Sequence, residues 1–94
     1  MDKTQFKQAF QFFVQGLQQR HLIPFQYVFL LNTFDEDALI SFFVAQTQPY
    51  ETQILNKDKS TIEQLGFIQD ASKIDEVIME QLRILYICAK HLAP

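Results

Sequence analysis

The stretch LIPFQYVFLLNTFDEDALISFFVAQTQPYETQILNKDKSTIEQLGFI, residues 22–68, decides the fold. Three short apolar segments are separated by Pro24, by the acidic run Asp35-Glu36-Asp37 and by Pro49, and the stretch closes on Leu65-Gly66-Phe67-Ile68. Pro24 suits the first turn of a helix, where its missing N–H has no partner to lose and its φ is preset. Phe25 to Phe34 is apolar almost throughout, a pattern that periodicity alone allows as a buried strand or a buried helix. The proline start and the helical neighbours favour a helix. Asp35 then stands as an N-cap with Glu36 and Asp37 in the first turn, where the helix dipole rewards negative charge. That helix runs to about Gln46, with Leu39, Phe42, Phe43 and Ala45 or Gln46 on helical spacing. Pro49 opens the next helix near Tyr50, which buries Ile54 and Leu55. Its stripe would next fall on Asp58, which is costly to bury unpaired. The spacing therefore predicts a break at residues 56–59, a restart on the capping box Ser60-Thr61-Ile62-Glu63, and Gly66 at C′.

Outward from this stretch, Phe6, Phe10, Phe13 and Leu17 step four, three and four, with Ala9 and Val14 beside them and Lys7, Gln8, Gln11, Gln15, Gln18 and Gln19 opposite. This predicts an amphipathic helix over 4–20. Phe12 falls off that stripe; it either widens the buried face or touches a second chain. On the other side, Ile78, Leu82, Leu85, Ala89 and Leu92 form a similar seam over 75–92, which Val77, Ile84 and Cys88 broaden. The expected class is all-α, five to six helices in a single domain, 1–94. At most, Phe67-Ile68 and Ile74 to Ile78 pair as a small β-hairpin.

Composition agrees. Two glycines and three prolines in 94 residues are few for a β-rich fold, while 48% hydrophobic residues and ten Phe supply one core. A net charge of −3 argues against a strongly basic nucleic-acid binder. The lone Cys88 excludes an internal disulfide framework and a multi-cysteine metal site. The polar N-terminus lacks a signal-peptide pattern, and no apolar run approaches about 18 residues, so the expected location is the cytoplasm, without a membrane span.

No catalytic signature is present. His21 and His91 have no partner at metal-ligand spacing, Cys88 lies in an apolar helix, and the 35–37 run lacks the alternating ligands and turn glycine of a calcium loop. There is no glycine-rich phosphate loop, Gly-x-Ser-x-Gly or His-Glu-x-x-His. A non-enzyme without cofactor or metal is expected.

The order of elements resembles the winged-helix core of MarR-type (multiple-antibiotic-resistance regulator) transcription factors. Leu22-Ile23-Pro24-Phe25-Gln26 followed by Phe29-Leu30-Leu31 is similar to that family's "L-t-x-x-Q-x-x-x-L-L" first helix. Val44-Ala45 sits where the second helix carries "L-A", residues 49–56 sit where the recognition helix enters, and Gly66-Phe67-Ile68 looks like the "G-L-I" strand before the wing. The resemblance implies a small DNA-binding transcription regulator, with Thr52, Gln53, Asn56 and Lys57 facing the major groove and Lys59, Lys73 and Arg20 on phosphates. The N- and C-terminal helices are expected either to pack together or to form a dimer layer; the resemblance implies a homodimer layer through Phe6, Phe10, Phe13, Leu17, Ile78, Leu82, Leu85 and Leu92. A looser resemblance covers Phe29 to Leu92: Phe-Leu-Leu-Asn-Thr-Phe-Asp-Glu-Asp-Ala-Leu-Ile with the Ile84-Leu85-Tyr86-Ile87 helix looks like small helical head-to-tail connector proteins of long-tailed phages. That implies the alternative, a protein-interaction module, for which the acidic balance of an inhibitor or immunity protein is a further variant.

Overall fold

The computed structural model describes residues 1–66 and 68–93, with side chains for all of these but Ala71. The first helix, α1 (Lys3–Gln19), is fixed at its start by a reciprocal cap. The Asp2 carboxylate accepts from the Gln5 N–H at 2.8 Å, and the Gln5 amide oxygen accepts from the Asp2 N–H at 2.9 Å. At its end the His21 N–H donates to the Gln18 carbonyl and the Leu22 N–H to the Leu17 carbonyl, while His21 takes the left-handed conformation at φ 57°. This is a Schellman turn, completed by the buried side chains of Leu17 and Leu22.

Helix α2 (Phe25–Asn32) follows Pro24, which is the extended N-cap and not the first helical residue. Helix α3 (Glu36–Thr47) begins as expected, with the Asp35 carboxylate accepting from the Ala38 N–H at 2.8 Å. A 3-10 turn at Gln48–Tyr50 carries Pro49 into α4 (Glu51–Leu55), which is only five residues long. Two more 3-10 segments, Lys59–Gln64 and Ala71–Lys73, lead to α5 (Glu76–Leu92), whose cap Asp75 accepts from the Ile78 N–H.

Helices α1, α3 and α5 pack on one another, with α4 laid on α5 and α2 on α1. The centre is aromatic. The Phe10 ring meets Phe43 edge-on at 5.3 Å, and Phe6 lies 5.9 Å from Phe43 and 6.0 Å from Phe10. Such pairs add about 0.5–1.5 kcal/mol to their area burial. Ile40, Leu82, Leu85 and Tyr86 close the same core.

Several expectations are corrected here. The cap of the 59–64 turn is Asp58, whose carboxylate accepts from both the Ser60 N–H and the Ser60 hydroxyl, so Ser60 is not the N-cap and Asp58 stays exposed. Leu55 is exposed, because α4 ends before a second turn can bury it. Gly66 does not supply a left-handed C′ residue: among the described residues His21, Lys57 and Asp70 have positive φ and neither glycine does. Phe67 of the anticipated hairpin lies outside the described residues, and none of the described residues forms a strand. Ile74 is a buried plug just ahead of α5, and the Gln69 N–H joins the 20–24 loop by donating to the Leu22 carbonyl at 2.7 Å.

Of the two arrangements open to the outer helices, the chain adopts the one in which they pack together. Phe6, Phe10, Phe13, Leu17, Ile78, Leu82 and Leu85 are all buried inside one chain and Leu92 is half-buried, so the seams assigned to a dimer layer face each other within the monomer. Val77 and Ile84 do not broaden the core; they are exposed, as is Phe12.

Three substitutions test this packing. Phe10→Ala should lower the unfolding free energy by about 3–5 kcal/mol in denaturant titrations, whereas Phe12→Ala should change it by about 0.5 kcal/mol or less. His21→Gly should raise it by about 0.5–1 kcal/mol, because glycine relieves the left-handed strain at little cost to the turn.

Candidate functional site

The residues expected to read a groove lie on α4 and the turn after it. Thr52 and Gln53 are exposed on α4, Asn56 is its C-cap, and Lys57 is the left-handed residue that turns the chain back, with the Asp58 N–H donating to the Gln53 carbonyl at 2.9 Å. A second Schellman turn therefore cuts across the expected recognition helix. Thr52 and Gln53 share one helical turn, Asn56 and Lys57 lie on the turn that ends it, and Lys59 starts the 3-10 turn. The signal for this was in the sequence: Asn56-Lys57-Asp58 follows a helix too short to carry its own stripe.

Electrostatics ties this segment to α5. The Lys57 ammonium sits 3.4 Å from the Glu76 carboxylate and 3.3 Å from Glu80, and hydrogen bonding to Glu80 and then Glu76 raises its pKa. Glu80 also receives the Arg83 guanidinium on both carboxylate oxygens, at 2.6 and 3.2 Å. Those Arg83 hydrogen bonds first, and Lys57 after them, hold the Glu80 carboxyl down at about 2. Lys73 lies 3.7 Å from Asp70 and Arg20 2.9 Å from Asp75. Of the cations expected on phosphates, Lys59 alone forms no ion pair among the described residues.

The concave surfaces are modest. A groove of about 260 Å³ between α1 and α2 is walled by Gln11, Gln15, Gln18 and Asn32, with Lys7 at its edge donating to the Phe34 carbonyl. A second, also about 260 Å³, lies between α4 and α5, where Leu55, Ile87, Lys90 and His91 surround Tyr86 and Glu51. The Tyr86 hydroxyl is sealed from solvent without a well-formed hydrogen bond. Burial first, and the neighbouring Glu51 carboxylate second, push its pKa up to about 12. The described residues contain no cluster of three metal-ligating side chains. No helix is long and apolar enough to cross a membrane among the described residues.

Sequence reasoning missed the most conspicuous surface feature. Phe25 and Phe29, one turn apart on α2, are 69% and 67% exposed, and Leu30 joins them. A second exposed group, Phe12, Val77 and Ile84, lies over α1 and α5. Helix α2 is apolar nearly all round, so hydropathy could not say which side is buried; among its residues Leu31 is the buried one. No family model, curated protein or solved structure matches the chain.

Glu80, through its ion pairs, and Tyr86, through its burial, make stability depend on pH in two windows. Glu80 is ionised well below its usual range in the fold, so its contribution is full above about pH 4.5 and is lost as pH falls toward 2; Glu80→Gln should lose only that part of the acid transition. Folded Tyr86 keeps its proton to about pH 12, whereas a free phenol loses it near 10, so stability should fall as pH rises through that interval. Tyr86→Phe should flatten that alkaline limb in pH-dependent denaturant titrations.

Proposed function

We propose that this chain is a non-enzymatic protein-interaction module that docks through the exposed face of α2. The observation that carries this reading is the pair Phe25 and Phe29 with Leu30, three large apolar side chains together in water on one short helix. Interface centres are rich in aromatic side chains and poor in charge, and no charged residue occurs between His21 and Asp35. Each exposed phenyl ring would contribute on the order of 1.5–3 kcal/mol on burial. The occupant is a partner whose surface is apolar at its centre, with a basic rim to meet the Asp35-Glu36-Asp37 run at the far end of the helix.

The DNA-binding regulator is the second reading. In its favour are the exposed Thr52, Gln53 and Asn56 and the unpaired Lys59, which together offer two amides, a hydroxyl and a cation on one side of the α4 turn. Against it stand the five-residue length of α4 and the carboxylates that already neutralise Lys57, Lys73 and Arg20. Groove readers place several side chains of one continuous helix against base edges.

One experiment separates the two. With a photo-crosslinking residue at position 29, the module reading expects one discrete adduct, lost when Phe25→Ser is combined and absent when the crosslinker sits at the exposed Gln8. Duplex titrations at about 50 mM salt should show no binding that falls with rising salt. Salt-dependent binding weakened by Asn56→Ala with Lys57→Ala, and no adduct from position 29, would reverse the order of the two readings.

A further inference from the structure

Each long outer helix carries a second stripe beside its buried one. On α1, Gln5, Ala9, Phe12, Gly16 and Gln19 step four, three, four and three, one residue behind the core seam. On α5, Val77, Gln81, Ile84 and Cys88 step four, three and four, again one residue behind the core seam. The two second stripes meet along a shared groove. Its two hollows, of about 230 and 180 Å³, have Phe12 and Gln81 in common; Met1 and Ile84 line one end, Gly16 and Val77 the other. Phe12, Gly16, Val77, Gln81 and Ile84 are uncharged, and charge enters the lining at its ends, with the Met1 amino terminus and Arg20.

Gly16 has no reason to be glycine within the monomer. Its backbone is helical with negative φ, and a Cβ added there would meet nothing within 4 Å. Glycine inside a helix costs about 0.5–1 kcal/mol relative to alanine. What glycine provides at an exposed helix position is close approach by another chain. One turn before it, Phe12 projects 69% exposed. A projecting ring and a bare backbone site one turn apart on the same helix form a self-complementary pair: under a twofold axis between them, each Phe12 lies over the partner copy's Gly16. Isologous contacts require this reciprocity.

We infer that the occupant of this groove is a second copy of the chain, seated across α1 with Phe12 over the partner's Gly16 and with Val77 and Ile84 at the flanks. The lining of the two hollows holds no carboxylate, and Arg20 at its edge is paired with Asp75 at 2.9 Å, so the contact does not set the carboxylates of two copies of net charge −3 against each other. The glutamines at its edges supply both donors and acceptors to a symmetry mate. Seventeen residues make α1 about 26 Å long, and two helices side by side span about 20 Å, so a pair buries on the order of 1,000 Å², the lower end for specific association. The expected dimer is reversible, in the micromolar range. It is independent of the α2 reading and leaves that face open on both copies.

Sedimentation velocity on the full chain, from low micromolar to about 1 mM and under reducing conditions because Cys88 lies on this face, tests the inference. The wild-type protein should move with concentration toward twice its 11.1 kDa mass. Gly16→Leu starts from a Cβ that meets nothing within 4 Å, occupies the groove and favours the helix, so it should keep or raise the thermal midpoint while weakening association at least about tenfold. Phe12→Glu should do the same to association with helical content retained, and Phe29→Glu should leave association intact. A wild-type chain that stays monomeric throughout, a dimer that survives both groove variants, or one that Phe29→Glu abolishes would overturn it.

Discussion

The contact of Phe43 with Phe6 and Phe10 is the constraint on which the rest of the fold depends. Helix α3 reaches both α1 and α5, and α1 and α5 reach each other, so one ring on α3 closes a triangle whose sides are the three longest helices. The helix ends are set to feed that triangle. Asp2, Asp35 and Asp75 each accept from a first-turn N–H and fix where a helix begins, and Lys3–Asp37 and Thr4–Glu36 contacts clamp the start of α1 to the start of α3. With starts and centre fixed, α2 and α4 are short spans strung between pillars, and each exposes apolar side chains that the pillars have no room to cover.

The pillars could be read from residues alone. Four-three spacing at Phe6 to Leu17 and at Ile78 to Ala89 gave the buried faces, and Asp35 gave the start of α3, because periodicity and capping are local physics; the Asp75 cap of α5 was equally local but went unread. Three things were not local. Which partner a stripe meets is a tertiary choice, and the two seams chose each other over a second chain. The exposed side of α2 could not be found, since a helix apolar all round has no moment to read. The left-handed positions fell on His21, Lys57 and Asp70, where composition pointed to glycine; the hydrogen bonds of the turns hold non-glycine residues there against the steric cost.

Charge in this chain is spent internally. Lys57 bridges Glu76 and Glu80, Arg83 closes on Glu80, Arg20 joins Asp75 and Lys3 joins Asp37. These exposed pairs add little each to stability, yet they orient the 56–75 segment against α5 and leave the molecule without a cationic stripe. What remains outward-facing includes the large apolar side chains of Phe12, Phe25 and Phe29.

The pairing of α1 with α5 also bears on how the chain is made. Arg20 and Asp75, bonded across the base of the two helices, are 55 residues apart in sequence, so α1 leaves the ribosome well before its main cover exists. During that interval Phe6, Phe10, Phe13 and Leu17 form a sticky amphipathic face with α2 and α3 to shield it once they have emerged. Nascent chains in this condition are the ones that holdase chaperones engage. The aromatic stripe that gives the finished molecule its centre is, for those seconds of synthesis, its main hazard.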